Sequence, residues 1–280
     1  NATSLVKTFG QGRENMVAIK QVIADSVIDV KALGGSMQDV IDIQTAASDA
    51  LGRNTLLMAS SFDDMKAAMS VTNKSANEII SNFKDVGISV YDSTKQIETV
   101  VNTAREIGVS AQAVSSEVLN NMDMLNKYTF QGGVEGLAKM AAQAVNMRIN
   151  VNDMSNMIDK AFNPDSAIEM AAALQRLGVQ QSDLLDPLRL MDMAQNDPAE
   201  LQNQLVQMSK DFVRLNETGN FEIIPGAKRQ LMEISQAMGM PYDKLTKMSL
   251  ASAELDDKMS KIKFPDNAFT EEQKTFIANM

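Results

Sequence analysis

Apolar residues recur at every seventh position through the first third of the sequence. Counted from Met16, this position is apolar seven times in eight, and Gln44 is its one polar member. The apolar members are Met16, Ile23, Val30, Met37, Leu51, Met58 and Met65. Such a repeat follows one face of an α-helix, and that face is stable only when it packs against another helix. We therefore take these seven residues as the candidate partner-interface residues of the chain.

The repeat predicts several packed helices and not one continuous rod. Gly34, Gly35 and Gly52 interrupt it, and a glycine inside a helix costs about 1 kcal/mol relative to alanine. Two partners for the apolar face remain open: the core of the chain itself, or an intermolecular coiled coil. We expect these N-terminal heptad-like helices to span residues 1–83.

A second local pattern begins near residue 84, where a helix end is followed by a glycine, one apolar residue and a new helix. It is built on Gly87, Gly108, Gly178 and Gly239, and Asn146-Met147 is a candidate fifth case. These glycines are 21, 70 and 61 residues apart, which is too irregular for a repeat of fixed period. A glycine just past a helix adopts the left-handed conformation that caps the last carbonyls. We predict helix–glycine–helix corners in a compact multi-helix domain over 84–265, followed by the start of a further helix over 266–280.

The starts of several helices are also marked. A Ser, Thr, Asn or Asp side chain at the N-terminal cap accepts a hydrogen bond from an amide of the first turn. Candidate caps are Asp197 with Glu200, Asn163 before Pro164, Ser75 with Glu78, Ser93 with Gln96, and Thr270 with Gln273. This structural role accounts for carboxylates and hydroxyls that would otherwise be candidates for catalysis.

One stretch departs from the helical pattern. Residues 212–215 and 221–224 are short runs rich in β-branched and aromatic side chains, and the five residues between them include Asn and Gly. Two such runs around a turn predict a β-hairpin. The sequence therefore predicts an all-α fold, a multi-helix bundle or array, with one small β-hairpin near 212–224.

Composition limits the chemistry that the chain could carry out. Cys, His and Trp are all absent, so thiol nucleophiles, Ser-His-Asp relays and ordinary zinc sites have no residues to form from. Two suitably spaced acids would suffice for a glycosidase, but pairs such as Asp63-Asp64 are adjacent in sequence and point in different directions on a helix. We expect no enzyme activity, no cofactor and no metal, and the sequence offers no catalytic residue.

Charge and hydropathy bear on the partners. The chain has 26 Lys and Arg against 36 Asp and Glu, a net charge of −10, and an acidic surface does not gain the phosphate contacts that drive nucleic-acid binding. The longest run without a charged residue is ten residues, 107–116, whereas a membrane-spanning helix needs about 20 apolar residues. We expect no specific nucleic-acid binding and no transmembrane segment.

Several short segments of the sequence resemble a known family. They are residues 132–142, 162–165, 167–171, 177–179, 185–187, 196–202 and 253–256, within a stretch of about 75–265. In these segments and in their order the chain is similar to tape measure and related virion structural proteins of tailed bacteriophages. We therefore expect a fragment of a tail tape measure protein.

The resemblance implies a largely helical chain present in several copies, with a trimer or hexamer expected. Such a protein is made in the host cytoplasm, sets tail length during assembly, and lies inside the tail of the virion until it is released on DNA ejection. The resemblance also implies contacts with the tail tube and with tail-tip or baseplate hub proteins. Because glycines and prolines prevent one extended helix, we expect a compact region at one end of a longer tape measure.

Two alternatives to this expectation remain open. A helical adaptor or signalling scaffold, which binds other proteins without catalysis, would share the heptads and the missing catalytic residues. A muralytic domain, of the kind that some tape measures carry, is the second alternative, and it would depend on Asp and Glu side chains.

Overall fold

The computed structural model describes residues 15–52, 56–180, 182–261 and 271–279. Helices make up 77% of this described structure, with sixteen α-helices and one two-stranded antiparallel sheet. The expected all-α, multi-helix fold is therefore confirmed.

The chain divides into two compact units, Asn1–Val101 and Asn102–Met280. The division falls inside the helix Val90–Ile107, which contributes residues to both units. The expected segments, 1–83 with heptad-like helices, 84–265 as a compact multi-helix domain and 266–280 as a helix start, stay a prediction.

The first unit is a set of short helices joined by tight connections. Each of the first three helices packs on the next one, and in addition the first packs on the third and the second on the fourth. The core contains Val30, Val40, Ile43, Phe62 and Phe83, all fully buried. Its helices are α1 Asn15–Ala32, α2 Met37–Leu51, α3 Ala59–Thr72, α4 Ala76–Asp85 and the beginning of α5 Val90–Ile107.

The second unit begins with the end of α5 and contains the remaining helices and the sheet. In chain order these are α6 Ala111–Asn120, α7 Met124–Lys127, α8 Val134–Asn146, α9 Val151–Phe162, α10 Pro164–Arg176, α11 Ser182–Leu185, α12 Pro187–Asn196, α13 Pro198–Lys210, β1 Val213–Leu215, β2 Phe221–Ile223, α14 Lys228–Met238, α15 Tyr242–Lys261 and α16 Glu271–Asn279. A short 3₁₀ turn, Pro225–Ala227, joins β2 to α14.

Helix α9 lies at the centre of the second unit and packs against α8, α10, α12, α13 and α14. Methionine supplies much of the core around it, since flexible thioether side chains fill irregular gaps between helices. The fully buried methionines of this unit are Met140, Met154, Met157, Met170, Met208, Met238 and Met248.

The four predicted glycine corners are confirmed. Gly87, Gly108, Gly178 and Gly239 have φ angles of 78, 79, 77 and 73°. At Gly178 the helix ends as expected for such a cap, because the Val179 amide donates to the Leu174 carbonyl at 3.1 Å.

The candidate fifth corner is present, but its left-handed residue is not one of the two expected. The Ile149 amide donates to the Ala144 carbonyl at 3.0 Å, which is the same closing bond. Arg148, with a φ of 59°, takes the place that glycine has elsewhere. Because arginine has a Cβ, this corner carries backbone strain that the glycine corners avoid.

Most of the predicted caps are found. Asp197 accepts from the Glu200 amide at 3.1 Å, Asn163 accepts from two amides of α10, and Ser75 forms a reciprocal capping box with Glu78. The Ser93 prediction is wrong. Ser93 lies within the first turn of α5 and donates to the Val90 carbonyl, while Ser89 accepts from the Asp92 amide at 3.2 Å and caps the helix. Thr270 lies outside the described residues.

The hairpin near 212–224 is also confirmed. Val213 pairs with Ile223 and Leu215 with Phe221 in antiparallel register, and the two strands pack against α15. Between the strands, the Asn216 side chain accepts from the amides of Thr218 and Asn220 at 3.0 and 2.9 Å. The hairpin is therefore a local addition to a helical core.

Candidate protein-binding surface

The structure distributes the seven predicted interface residues over three environments. Ile23, Val30 and Met65 are buried in the first unit, whereas the side chains of Met37 and Leu51 are half-buried. Met58 is 65% exposed, and the side chain of Met16 lies outside the described structure.

The heptad repeat runs through α1, α2 and α3, which are separate helices that pack on one another. It therefore does not form one continuous stripe on the described surface. An interface role for the seven residues stays a prediction, and Met58 is the one exposed member among those whose side chains the structure describes.

Gln44, the polar member of the repeat, has a structural role inside the first unit. Its side chain is 1% exposed, and its Oε1 accepts from the Leu57 amide at 3.1 Å. Its Nε2 donates to Ser48 Oγ at 3.1 Å. Because Leu57 lies just before α3, Gln44 fixes the approach of the chain to that helix.

Large apolar side chains are exposed on and beside α1 and α3, which pack against each other. Ile28 in α1 is 67% exposed, Leu33 just after α1 is 46% exposed, and Met58 just before α3 is 65% exposed. We call Ile28, Leu33 and Met58 the apolar set of the first unit. An exposed apolar side chain gains free energy when another protein covers it.

The sequence did not reveal Ile28. It stands at the sixth position of the heptad, off the apolar face, and no periodic signal marks it. Its exposure depends on which sides of α1 are covered by α2 and α3, and a single sequence does not carry that information.

Acidic side chains on the same two helices are close enough for their charges to interact. Burial raises the pKa of Asp63 in α3, and the charges of Asp29 in α1 and of Asp64 raise it further. Asp63 Oδ1 is buried and has no hydrogen-bond partner in the described structure. The ionised form of this carboxyl is therefore poorly accommodated.

Asp39 at the start of α2 is in the opposite situation. Burial alone would raise its pKa, but hydrogen bonds from Ser36 and from Lys66, at 3.1 Å, bring the pKa below its ordinary value. Lys66 belongs to α3, and Asp39 belongs to the capping box of α2. The pair Asp39–Lys66 therefore joins α3 to the start of α2.

The second unit has an open groove of about 810 Å³ between α10 and α14. Glu169 and Arg176 line it from α10, and Glu233 lines it from α14. Lys160 donates to the carbonyl of Gln236 at 3.1 Å and so caps the end of α14. The groove has charges of both signs at its walls and selects for neither sign of ligand.

The described residues contain no group of three or more acidic side chains arranged to hold a metal ion. Within those same residues, no helix combines the length and the apolar character needed to cross a bilayer.

No protein-family model, curated protein or solved structure matches this chain.

Proposed function

We propose that this chain is a structural protein of a phage tail, the compact helical region of a tail tape measure protein. It sets tail length during assembly, occupies the tail tube or tail tip, and is released on DNA ejection. The observation that carries the proposal is the apolar set of the first unit, because Ile28 and Met58 offer large uncovered side chains to other protein chains. Its partners are other copies, as a trimer or hexamer, and the tail tube and tail-tip or baseplate hub proteins.

The lengths of the helices support a place at one end of a longer tape measure. A single helix of 280 residues would extend about 420 Å at 1.5 Å per residue. The longest helix that the structure describes, α15, has 20 residues and extends about 30 Å. A ruler needs an extended chain, so we assign the measuring role to other parts of the protein and a tail-tip position to this region.

The charge of the chain agrees with this position. At −10, the chain repels the DNA that passes through a tail and does not retain it. Its expected location is the interior of the tail in the virion, after synthesis in the host cytoplasm.

The proposal is tested by following the chain through the life of the particle. Tailed particles released by the strain that encodes the chain are purified, and the tryptic peptide 230–244 is quantified by mass spectrometry before and after DNA ejection is triggered. We expect this peptide in intact particles and its loss from the emptied ones, while the major tail tube protein stays constant. A peptide found only in cell lysate, and never in particles, would favour the adaptor alternative and overturn the proposal.

A further inference from the structure

The second unit contains a pocket between α8, α13 and α15 whose lining differs from that of an ordinary helix core. Its volume is about 320 Å³, which lies in the range of ligand sites. Residues with carboxamide and hydroxyl groups line it: Gln143 and Asn146 from α8, Asn203 and Gln207 from α13, and Ser252 from α15. We call this the carboxamide pocket.

Two polar atoms of the carboxamide pocket are buried without a partner. Ser252 is 1% exposed, and its Oγ makes no hydrogen bond in the described structure. Gln143 Oε1 is likewise buried and unpaired. A buried polar group without a partner destabilises the protein, and native structures contain few of them. Since both residues line the same pocket, one ligand could pair with both.

The remaining lining defines the chemistry of that ligand. Lys210 and Asp256 form an ion pair at 2.6 Å and neutralise each other, so the pocket has no net charge to attract an ion. The apolar lining is aliphatic, from residues such as Val206 and Leu255, and contains no aromatic ring among the residues described. Sugars and nucleobases usually stack on such rings, so a neutral ligand without a ring fits better.

The spacing of the carboxamides on α13 favours a polypeptide in extended conformation. Asn203 and Gln207 are four residues apart, which is about 6.0 Å along the helix axis, whereas Gln143 and Asn146 are three apart on α8, about 4.5 Å. An extended chain repeats every two residues, at about 6.6 Å, which is close to the spacing of the α13 pair. A carboxamide has both a donor and an acceptor, which is what main-chain N–H and C=O groups require, and Asn203 Nδ2 already uses one donor on Glu200 Oε2 at 3.3 Å.

We propose that the carboxamide pocket binds a short extended peptide segment of a partner protein, with small uncharged side chains. A main-chain N–H of the segment donates to Gln143 Oε1, and a main-chain carbonyl accepts from Ser252 Oγ. The aliphatic lining takes the side chains. This inference is independent of the phage-tail proposal, because it depends only on the pocket of the second unit.

The binding test uses the full chain, labelled with ¹⁵N, and the probe acetyl-trialanine N-methylamide. The side-chain amide signals of Gln143 and Asn203 are followed by NMR during titration. We expect saturable shifts with a Kd of about 1 mM, as for a short unconstrained peptide. S252A and Q143M each weaken binding about tenfold, because each removes one hydrogen bond. Q112M, which changes an exposed glutamine of α6, leaves binding unchanged.

Two further measurements make the test decisive. The capped trimer of N-methylglycine, acetylated at its N-terminus and closed as an N,N-dimethylamide so that it lacks every main-chain N–H donor, is expected not to bind. Because Ser252 Oγ is unpaired in the free chain, S252A is expected to keep or raise Tm. Absence of saturable shifts, equal binding by the N-methylated trimer, or shifts caused by glucose and not by the peptide would overturn the proposal. A lower Tm for S252A would do so too, since it would show that the hydroxyl already has a partner.

Discussion

Asp63 and Asp39 show how single residues of the first unit set its response to pH. Both carboxyls are partly buried, and burial disfavours the charged form of each. Asp39 has a lysine and a serine as partners, whereas Asp63 has other acids near it and one unpaired oxygen. The cost of burying a charged carboxylate is therefore offset at Asp39 and not at Asp63.

We expect D63N to stabilise the first unit near neutral pH. The folded-state pKa of Asp63 lies above its ordinary value of 3.8, so the folded state holds the proton more tightly than the unfolded state does. The ionised carboxylate therefore destabilises the fold above the raised pKa, and this penalty disappears as the pH falls through that pKa towards 3.8. The gain from D63N should be about 0.5–1 kcal/mol at neutral pH and should vanish in acid. Urea unfolding of both proteins at neutral pH and near pH 3.8 measures this difference in the free energy of unfolding.

The control for D63N is D42N, which removes a charge from an exposed position of α2. We expect D42N to change the free energy of unfolding little, as is usual for surface substitutions. Equal effects of D63N and D42N would show that overall charge, and not the surroundings of Asp63, causes the change.

The heptad pattern and the structure predict opposite effects on stability for a leucine in place of Gln44. The heptad favours an apolar residue at this position, so the pattern alone predicts that Q44L stabilises the chain. In the structure the side-chain carbonyl of Gln44 accepts a hydrogen bond from the main-chain amide of Leu57. A leucine at position 44 would leave that buried amide without a partner. We therefore expect Q44L to lower the free energy of unfolding by about 1–3 kcal/mol, measured by chemical denaturation. Q38L, at an exposed position of the same helix, should change it by less than about 0.5 kcal/mol.

At the scale of helices and turns, the sequence predicts those features that depend on contacts between residues close together in the chain. The corner at Gly178, the cap at Asp197 and the hairpin each depend on residues within a few positions of one another, and all three are present. Ser93 fails because Ser89, four residues earlier, offers the same capping chemistry, and only the packing of α5 decides between them. Gln143, Asn203 and Ser252 are distant in sequence, so their meeting in one pocket has no local signal.

The corner at Arg148 allows the backbone strain of a left-handed residue with a Cβ to be measured within a single turn. Its left-handed backbone suits glycine better than any residue with a Cβ. The Arg148–Glu254 ion pair, at 2.8 Å, is largely exposed and contributes little to stability. R148G and R148A both remove this pair, but only R148G removes the strain. We expect R148G to be more stable than R148A by about 1 kcal/mol in thermal or urea unfolding. Equal stabilities would show that the turn is relaxed with an ordinary residue.

At the scale of the whole molecule, each of the two units has its own core and exposes large apolar side chains to solvent. Ile28 and Met58 belong to the first unit, beside the α1–α3 pair, whereas Leu188, 74% exposed, belongs to α12 of the second. Exposed apolar side chains that stand alone are common on monomeric proteins. A role in assembly therefore requires that particular ones become covered when copies meet, and substitution distinguishes these from the others.

We expect the isolated chain to form homo-oligomers through the apolar set of the first unit. Light scattering over a dilution series should give a mass about three or six times the 30.5 kDa of one copy. I28E combined with M58E should shift this mass to that of the monomer, because a carboxylate buried in a contact between copies loses its hydration. The same change costs the folded monomer little, since both positions are exposed. L188E tests whether any added charge on an exposed apolar position has this effect, and it should leave the oligomer intact. A monomeric mass of the unsubstituted chain at every concentration, or equal dissociation by L188E, would remove the apolar set as the contact between copies.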